Sequence, residues 1–304
     1  MMPAVLLAGC GTTVAPGAEP DDRDWRWESY AGIELQVPAD YGWRSSGSPL
    51  YPAWCAATSD GGPPQAGVNR SFSAVMPAIM CPPDRPDDTY APSVDLGARA
   101  DGSPVDHGGG WVSETVDVAG VPVTVSDDDA ARRQRIIASV REVDDVDTHG
   151  CPPDSVLRAP GARPATGPLP PADEVAAVAI CRYALPTGFS DLAGRPEPIL
   201  SSSRVDAQQA RQLVDAVHAA PRGEGPNSPA NCAEEVMFGE EIVVLSFATA
   251  GGGREVTLRF SGCDGHGIDD GDVVRRLTGE VLVPVLAGPH EPTSLNARVA
   301  SLLN

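Results

Sequence analysis

Lysine is absent from this chain of 304 residues; all 22 cationic side chains are arginine. That removes Schiff-base and lysine general-base chemistry. Aromatic residues are only 5% of the chain, so Val, Leu, Ile and Ala must build the cores. No apolar run approaches the roughly 20 residues of a membrane-spanning helix. Positive charge is scarce: 22 arginines face 42 Asp and Glu, for a net charge of −20. Such a surface repels phosphate backbones, so no nucleic-acid partner is expected. It repels anionic head groups too, so any membrane contact must come from a lipid and not from the protein surface. There is no CxxC, and no Cys clusters with His at zinc spacing, which leaves metal and redox readings weak and no cofactor expected. Ser201-Ser202-Ser203 has no G-x-S-x-G setting, and Gly108-Gly109-Gly110 does not open a helix as a phosphate loop would.

What is present points to a folded chain. Hydrophobic residues make up 41% and charged residues 21%, a globular balance, and the length suits about two ordinary domains. The 31 prolines and 32 glycines predict many turns and at least one linker.

Seven cysteines are an odd set: Cys10, Cys55, Cys81, Cys151, Cys181, Cys232 and Cys263. The first has its own explanation. Val5-Leu6-Leu7-Ala8-Gly9-Cys10 resembles a bacterial lipobox, with an aliphatic residue three before the Cys and two small residues between. The resemblance implies a lipoprotein: diacylglyceryl transfer to the Cys10 thiol, cleavage before it, and anchoring at the extracytoplasmic face of the cell membrane. The Ala, Gly, Pro, Asp and Arg bias is similar to that of actinobacterial proteins, and the second half resembles modules of secreted actinobacterial proteins of unknown function. Only Met1–Leu7, without Arg, stand before the small residues Ala8-Gly9 and Cys10. A secretory signal needs a basic region and an apolar stretch of roughly 7–15 residues, so the true translation start is expected upstream. With Cys10 lipidated, six cysteines remain for an oxidising compartment. They allow 15 pairings; the sequential set Cys55–Cys81, Cys151–Cys181 and Cys232–Cys263 is the expectation, each stabilising by roughly 3–4 kcal/mol on the chain-entropy model.

Along the chain, residues 1–10 are a shortened signal and lipobox, and 11–24 a polar, breaker-rich tether. Residues 25–150 form the first expected domain. Trp25–Tyr30 and Ile33–Val37 alternate as a hairpin, and 71–76 and 78–81 read as short strands. Trp111–Val118 and Val121–Val125 flank Ala119-Gly120 as a second hairpin, in which Pro122 suggests an edge strand. Ser126 or Asp127 is placed to cap a helix carrying Ile136, Ile137 and Val140 inward and Arg132, Arg133 and Arg135 outward. Residues 151–171, dense in proline, read as a linker. Residues 172–304 form the second domain. It has an apolar strand around Val175–Tyr183, a strand at Ile199–Arg204 and an Asp206-capped helix with Ala210, Leu213, Val214 and Val217 on one stripe. The hairpin Ile242–Ala248/Glu255–Phe260, a short strand near Val273 and a helix from Thr278 interrupted at Pro284 follow. The fold class expected is α+β: two small disulfide-stabilised domains, each an antiparallel sheet with helices packed on it.

The densest set of ligand types is Asp264, His266, Asp269, Asp270 and Asp272. Calcium loops place oxygens at alternating positions, and this spacing does not, so an acidic turn is expected and no metal is assigned. His107, His149, His218 and His290 are scattered. No catalytic constellation emerges. The function expected is a non-enzymatic, lipid-anchored envelope protein that binds or scaffolds an envelope protein or small ligand. The alternative is an extracytoplasmic hydrolase or cation-dependent enzyme.

Overall fold

The computed structural model describes residues 24–50, 55, 62–70, 81–82, 84–186, 198–227, 240–292 and 295–304. The chain is α+β, with three sheets and few helices.

β1 (Trp25–Tyr30) and β2 (Ile33–Pro38) pair as the expected hairpin, Trp25 opposite Pro38 and Tyr30 opposite Ile33. Ala31 and Gly32, both at positive φ, make the tight primed turn that matches strand twist. A second sheet contains β3 (Gly67–Arg70), β4 (Ser93–Leu96), β5 (Val105–Gly108), β6 (Trp111–Val118) and β7 (Val121–Asp127) in the order β3-β4-β7-β6-β5. β8 (Arg141–Glu142) adds to β2. The β3–β4 pair is parallel, which departs from the expected all-antiparallel sheet. The strands expected at 71–76 and 78–81 lie outside the described residues, save Cys81 itself.

β7 is central, not an edge. Pro122 is tolerated there because its nitrogen and carbonyl point to the same side, toward β4. β4 has already ended at Leu96, opposite Val123, and the Pro122 carbonyl accepts from Gly97, so the missing donor interrupts no ladder bond to β6. The helix after it, α1 (Ala130–Ser139), is capped by Asp129, whose carboxylate accepts from Ala131 and Arg132 N–H. Ser126 and Asp127 instead complete β7 and are buried. Asp127 takes a fork of two bonds from Arg132, each 2.6 Å. Arg133, expected outward, is buried and donates to the Asp127 carbonyl at 3.0 Å.

The second half builds a six-stranded sheet, β10-β9-β11-β12-β13-β14, from β9 (Val175–Ala184), β10 (Ile199–Val205), β11 (Glu241–Thr249), β12 (Gly252–Arg259), β13 (Gly267–Asp269) and β14 (Val274–Arg275). α2 (Ala207–Ala219), α3 (Gly279–Val285) and α4 (Ala297–Ala300) cover one face. α2 carries the predicted stripe inward, with Ala210, Leu213, Val214 and Val217 all buried, and Asp206 caps it with two bonds of 2.9 Å. Each such Leu or Val stabilises by about 1.5–3 kcal/mol. The opposite face packs Ala179, Cys181, Tyr183, Ile242 and Val244 against Cys151 and Leu157. Residues 151–171 therefore run along this sheet, tied by Arg158 Nε to the Ala184 carbonyl at 2.6 Å and by Arg163 to Asp269.

Cys55–Cys81 and Cys151–Cys181 are disulfides, with Cα–Cα distances of 5.5 and 5.6 Å, inside the normal range. Cys263 is also disulfide-bonded; Cys232, its expected partner, lies outside the described residues. The two halves meet where β1 packs on β10. Ala31 N–H donates to the Ile199 carbonyl at 2.8 Å, and Ala184 and Leu200 join the core built from β2, β3, β4, β7 and α1.

Candidate functional site

The acidic stretch folds into a turn whose carboxylates are divided among separate partners. Asp269 receives a fork from Arg163, 2.7 Å on each oxygen, and accepts from Gly271 N–H at 2.8 Å. Burial alone would raise its carboxyl, but the Arg163 and Gly271 bonds outweigh that and hold it below the usual range. Asp270 accepts from Asp272 and Val273 N–H at 2.9 and 2.7 Å and pairs with Arg275. These bonds again overcome burial and keep it ionised. Asp272 accepts from Gly167 N–H at 3.0 Å, and Asp264 is exposed. His266 is fully buried between the Pro226 and Gly262 carbonyls. Among the described residues no three His, Cys, Asp or Glu side chains converge as a metal site.

A different concavity opens between α2 and α3. It is a groove of about 1090 Å³, just above the roughly 300–1,000 Å³ typical of small-molecule sites. Leu213 and Ala216 of α2 form one wall, Val283 and Pro284 of α3 the other, and Ile180 and Val205 of the sheet the floor. Pro284 lies inside α3 without interrupting it, the helix running on to Val285, and Val283 is left 50% exposed. The polar lining is Gln209, Gln212, Thr278 and two exposed carboxylates, Asp215 and Glu280; among the described residues no Arg or His lines the groove.

Beside it lies a group the sequence did not bring together. Strand alternation puts Ser201 and Ser203 on the helix-covered face of β10 and Ser202 on the other. His290 arrives there from the 3-10 turn Gly288–His290. Its Nδ1 is 2.9 Å from Ser201 Oγ and its Nε2 is 2.7 Å from Ser203 Oγ. The ring is buried. Burial first, then the charges of Arg182 and Arg70 and the nearby His149, hold it well below the usual histidine range, so it is neutral at physiological pH. Arg182, also buried, donates to the His290 and Glu291 carbonyls at 3.1 and 2.7 Å and faces Glu241 at 3.6 Å. The available signal was the run Ser201-Ser202-Ser203 in a strand, where alternation must put at least one hydroxyl on the core face and that hydroxyl needs a partner.

The first half holds its own buried acid. Asp95 accepts from Ser48, Ser93 and Asn69 at 2.9–3.0 Å, and burial raises its carboxyl despite these donors. Register aligns Ser113, Ser126 and Ser93 across β6, β7 and β4, so this sheet face is polar yet covered. No protein-family model, curated protein or solved structure matches the chain.

Proposed function

We propose that this chain is a lipid-anchored protein of the extracytoplasmic membrane face, tethered through Cys10, that binds an uncharged or cationic ligand with an apolar chain. The observation that carries the proposal is the groove between α2 and α3: an apolar floor and walls, open to solvent and edged by carboxylates. Asp215 and Glu280 oppose an anionic head group, and the net charge of −20 adds to that. A neutral head meets no such penalty, and Gln209 and Gln212 offer it amide hydrogen bonds. Disulfides at Cys55–Cys81 and Cys151–Cys181 support an oxidising compartment. In this reading residues 172–304 are the binding unit, and residues 25–150 a support raised on the 11–24 tether.

The test is binding of an uncharged naphthylamine probe to the full chain, read by fluorescence. A long-chain neutral ester is expected to displace it, and the corresponding fatty-acid anion to displace it at least tenfold less well. Val283→Asp, on an exposed wall position, is expected to abolish binding without unfolding the protein. Unchanged binding in Val283→Asp, or equal displacement by the anion, would refute the assignment.

A further inference from the structure

Ser203 and His290 adjoin residues that line the apolar groove, without lining it themselves. Register fixes the placement. Ser203 is the direct cross-strand neighbour of Ile180 and lies two residues before Val205 on the same face of β10, and both Ile180 and Val205 are groove floor. Opposed residues in antiparallel strands have Cβ atoms about 4.5–5.5 Å apart, and alternate residues along one strand are about 7 Å apart. Ala287, in the groove wall, immediately precedes the Gly288–His290 turn. Ser203 thus adjoins the groove floor from the strand, and the buried His290 stands behind it on the turn that leaves the groove wall.

The pair also has the hydrogen-bond polarity a nucleophile requires. A neutral imidazole has one donor and one acceptor nitrogen. With Nδ1–H donating to Ser201 at 2.9 Å, Nε2 accepts from the Ser203 hydroxyl at 2.7 Å. Ser201 is fully buried, whereas Ser203 is partly exposed, so of the two hydroxyls Ser203 is the one open to a ligand. The two Arg182 bonds to the backbone of the turn fix the ring where it stands.

We propose that Ser203 is a nucleophile toward neutral esters of apolar acids whose chain lies in the groove, with His290 as general base and Ser201 as a positioning residue. Ser203 Oγ bonds to the ester carbonyl carbon as its proton passes to His290 Nε2. The bond from that carbon to the alcohol oxygen breaks, and the alcohol leaves with the proton from Nε2. Water, giving its proton to the same nitrogen, then attacks the acyl carbon, the bond to Ser203 Oγ breaks, and Oγ leaves with that proton, restoring serine and neutral His290. The product is a carboxylate, which Asp215 and Glu280 at the groove repel, so release is favoured where substrate binding is not opposed. The inference rests on the groove taking an apolar chain.

The test uses the full chain with long-alkyl and short-alkyl fluorophosphonates, the adduct mapped by mass spectrometry. Labelling is expected on Ser203, at least tenfold faster for the long chain, absent in Ser203→Ala and reduced about 10²–10⁴-fold in His290→Gln. Ser201→Ala is expected to slow labelling and Ser201→Thr to restore it, which a packing role alone does not predict. Ser203→Ala removes one hydroxyl and leaves the Arg182 contacts in place, so it decides the matter even if His290→Gln fails to fold. An adduct on another residue, or none on Ser203 while the naphthylamine probe is still bound and displaced, overturns the nucleophile and leaves the binding proposal standing. Neither labelling nor probe binding overturns both.

Discussion

The Trp43 indole N–H donates to Glu28 Oε1 across 3.0 Å. The same carboxylate, almost wholly buried, takes Arg26 Nε at 2.7 Å and Arg70 Nη2 at 2.5 Å. Trp43 in turn lies over Gly288, where an added Cβ would come within 3.2 Å of the indole. Gly288 also adopts a φ of +62, which favours glycine. One acid of the first half therefore positions the ring that braces the turn bearing His290 in the second half.

Glu28→Ala is expected to destabilise the protein by about 3–5 kcal/mol, because it leaves Arg70 buried without its counter-charge. Urea unfolding followed by tryptophan fluorescence measures it. A loss under about 1 kcal/mol would show that the Glu28 cluster does not hold the junction.

His290 makes the fold acid-sensitive. Its folded pKa is depressed, so the unfolded chain binds a proton more readily than the folded one. Stability is then fully present above the ordinary histidine value of about 6.5 and falls as pH drops below it. Denaturant midpoints measured from pH 8 downward are expected to decline from about 6.5 in the parent and more shallowly in His290→Gln. Parallel curves would sink the assignment.

Asp95 carries the opposite sign. Its folded pKa is raised, so the folded protein holds a proton that the unfolded chain gives up. The contribution is present below the ordinary carboxyl value of about 3.9 and is lost as pH rises through the folded value. Asp95→Asn is expected to gain stability relative to the parent across that rise. A constant difference between the two from pH 4 to 8 would contradict it.

Removing the Cys151–Cys181 bridge by the double change to Ala is expected to cost about 3–4 kcal/mol, from a loop of 30 residues. The bridge also pins residues 151–171 to the outer sheet face through Cys151 and Leu157. Proteolysis within 155–168 is therefore expected to accelerate in the same variant, and an unchanged cleavage rate would show that Leu157 and the Arg158 bond suffice.

Local signals in the sequence carried to the structure. The α2 stripe, the Asp206 cap, the three hairpins with their glycine turns and two of the cysteine pairs are set by residues close in sequence. What was not legible depends on distant segments. The parallel β3–β4 pair gives no hairpin signal. Arg133 looks solvent-facing on a helical wheel until the Asp127 carbonyl is placed beneath it. Ser201 and His290 are 89 residues apart, so their meeting is a product of the sheet and the 3-10 turn. The groove needs two helices laid side by side, which no single amphipathic pattern reports.

The acidic stretch offers a contrast between neighbouring carboxylates. Asp270 accepts two backbone N–H groups and pairs with Arg275, so Asp270→Ala strips three donors of their acceptor. Each buried donor left unsatisfied costs about 1–3 kcal/mol, and the loss is expected to reach at least about 2 kcal/mol. Asp264 is exposed, and Asp264→Ala is expected to stay within about 0.5 kcal/mol of the parent. Because Asp269 and Asp270 are held by arginines, calcium would have to displace a guanidinium to reach either. Calorimetry is accordingly expected to register no binding at millimolar calcium. Heat that Asp270→Ala abolishes would instead make this turn a cation site.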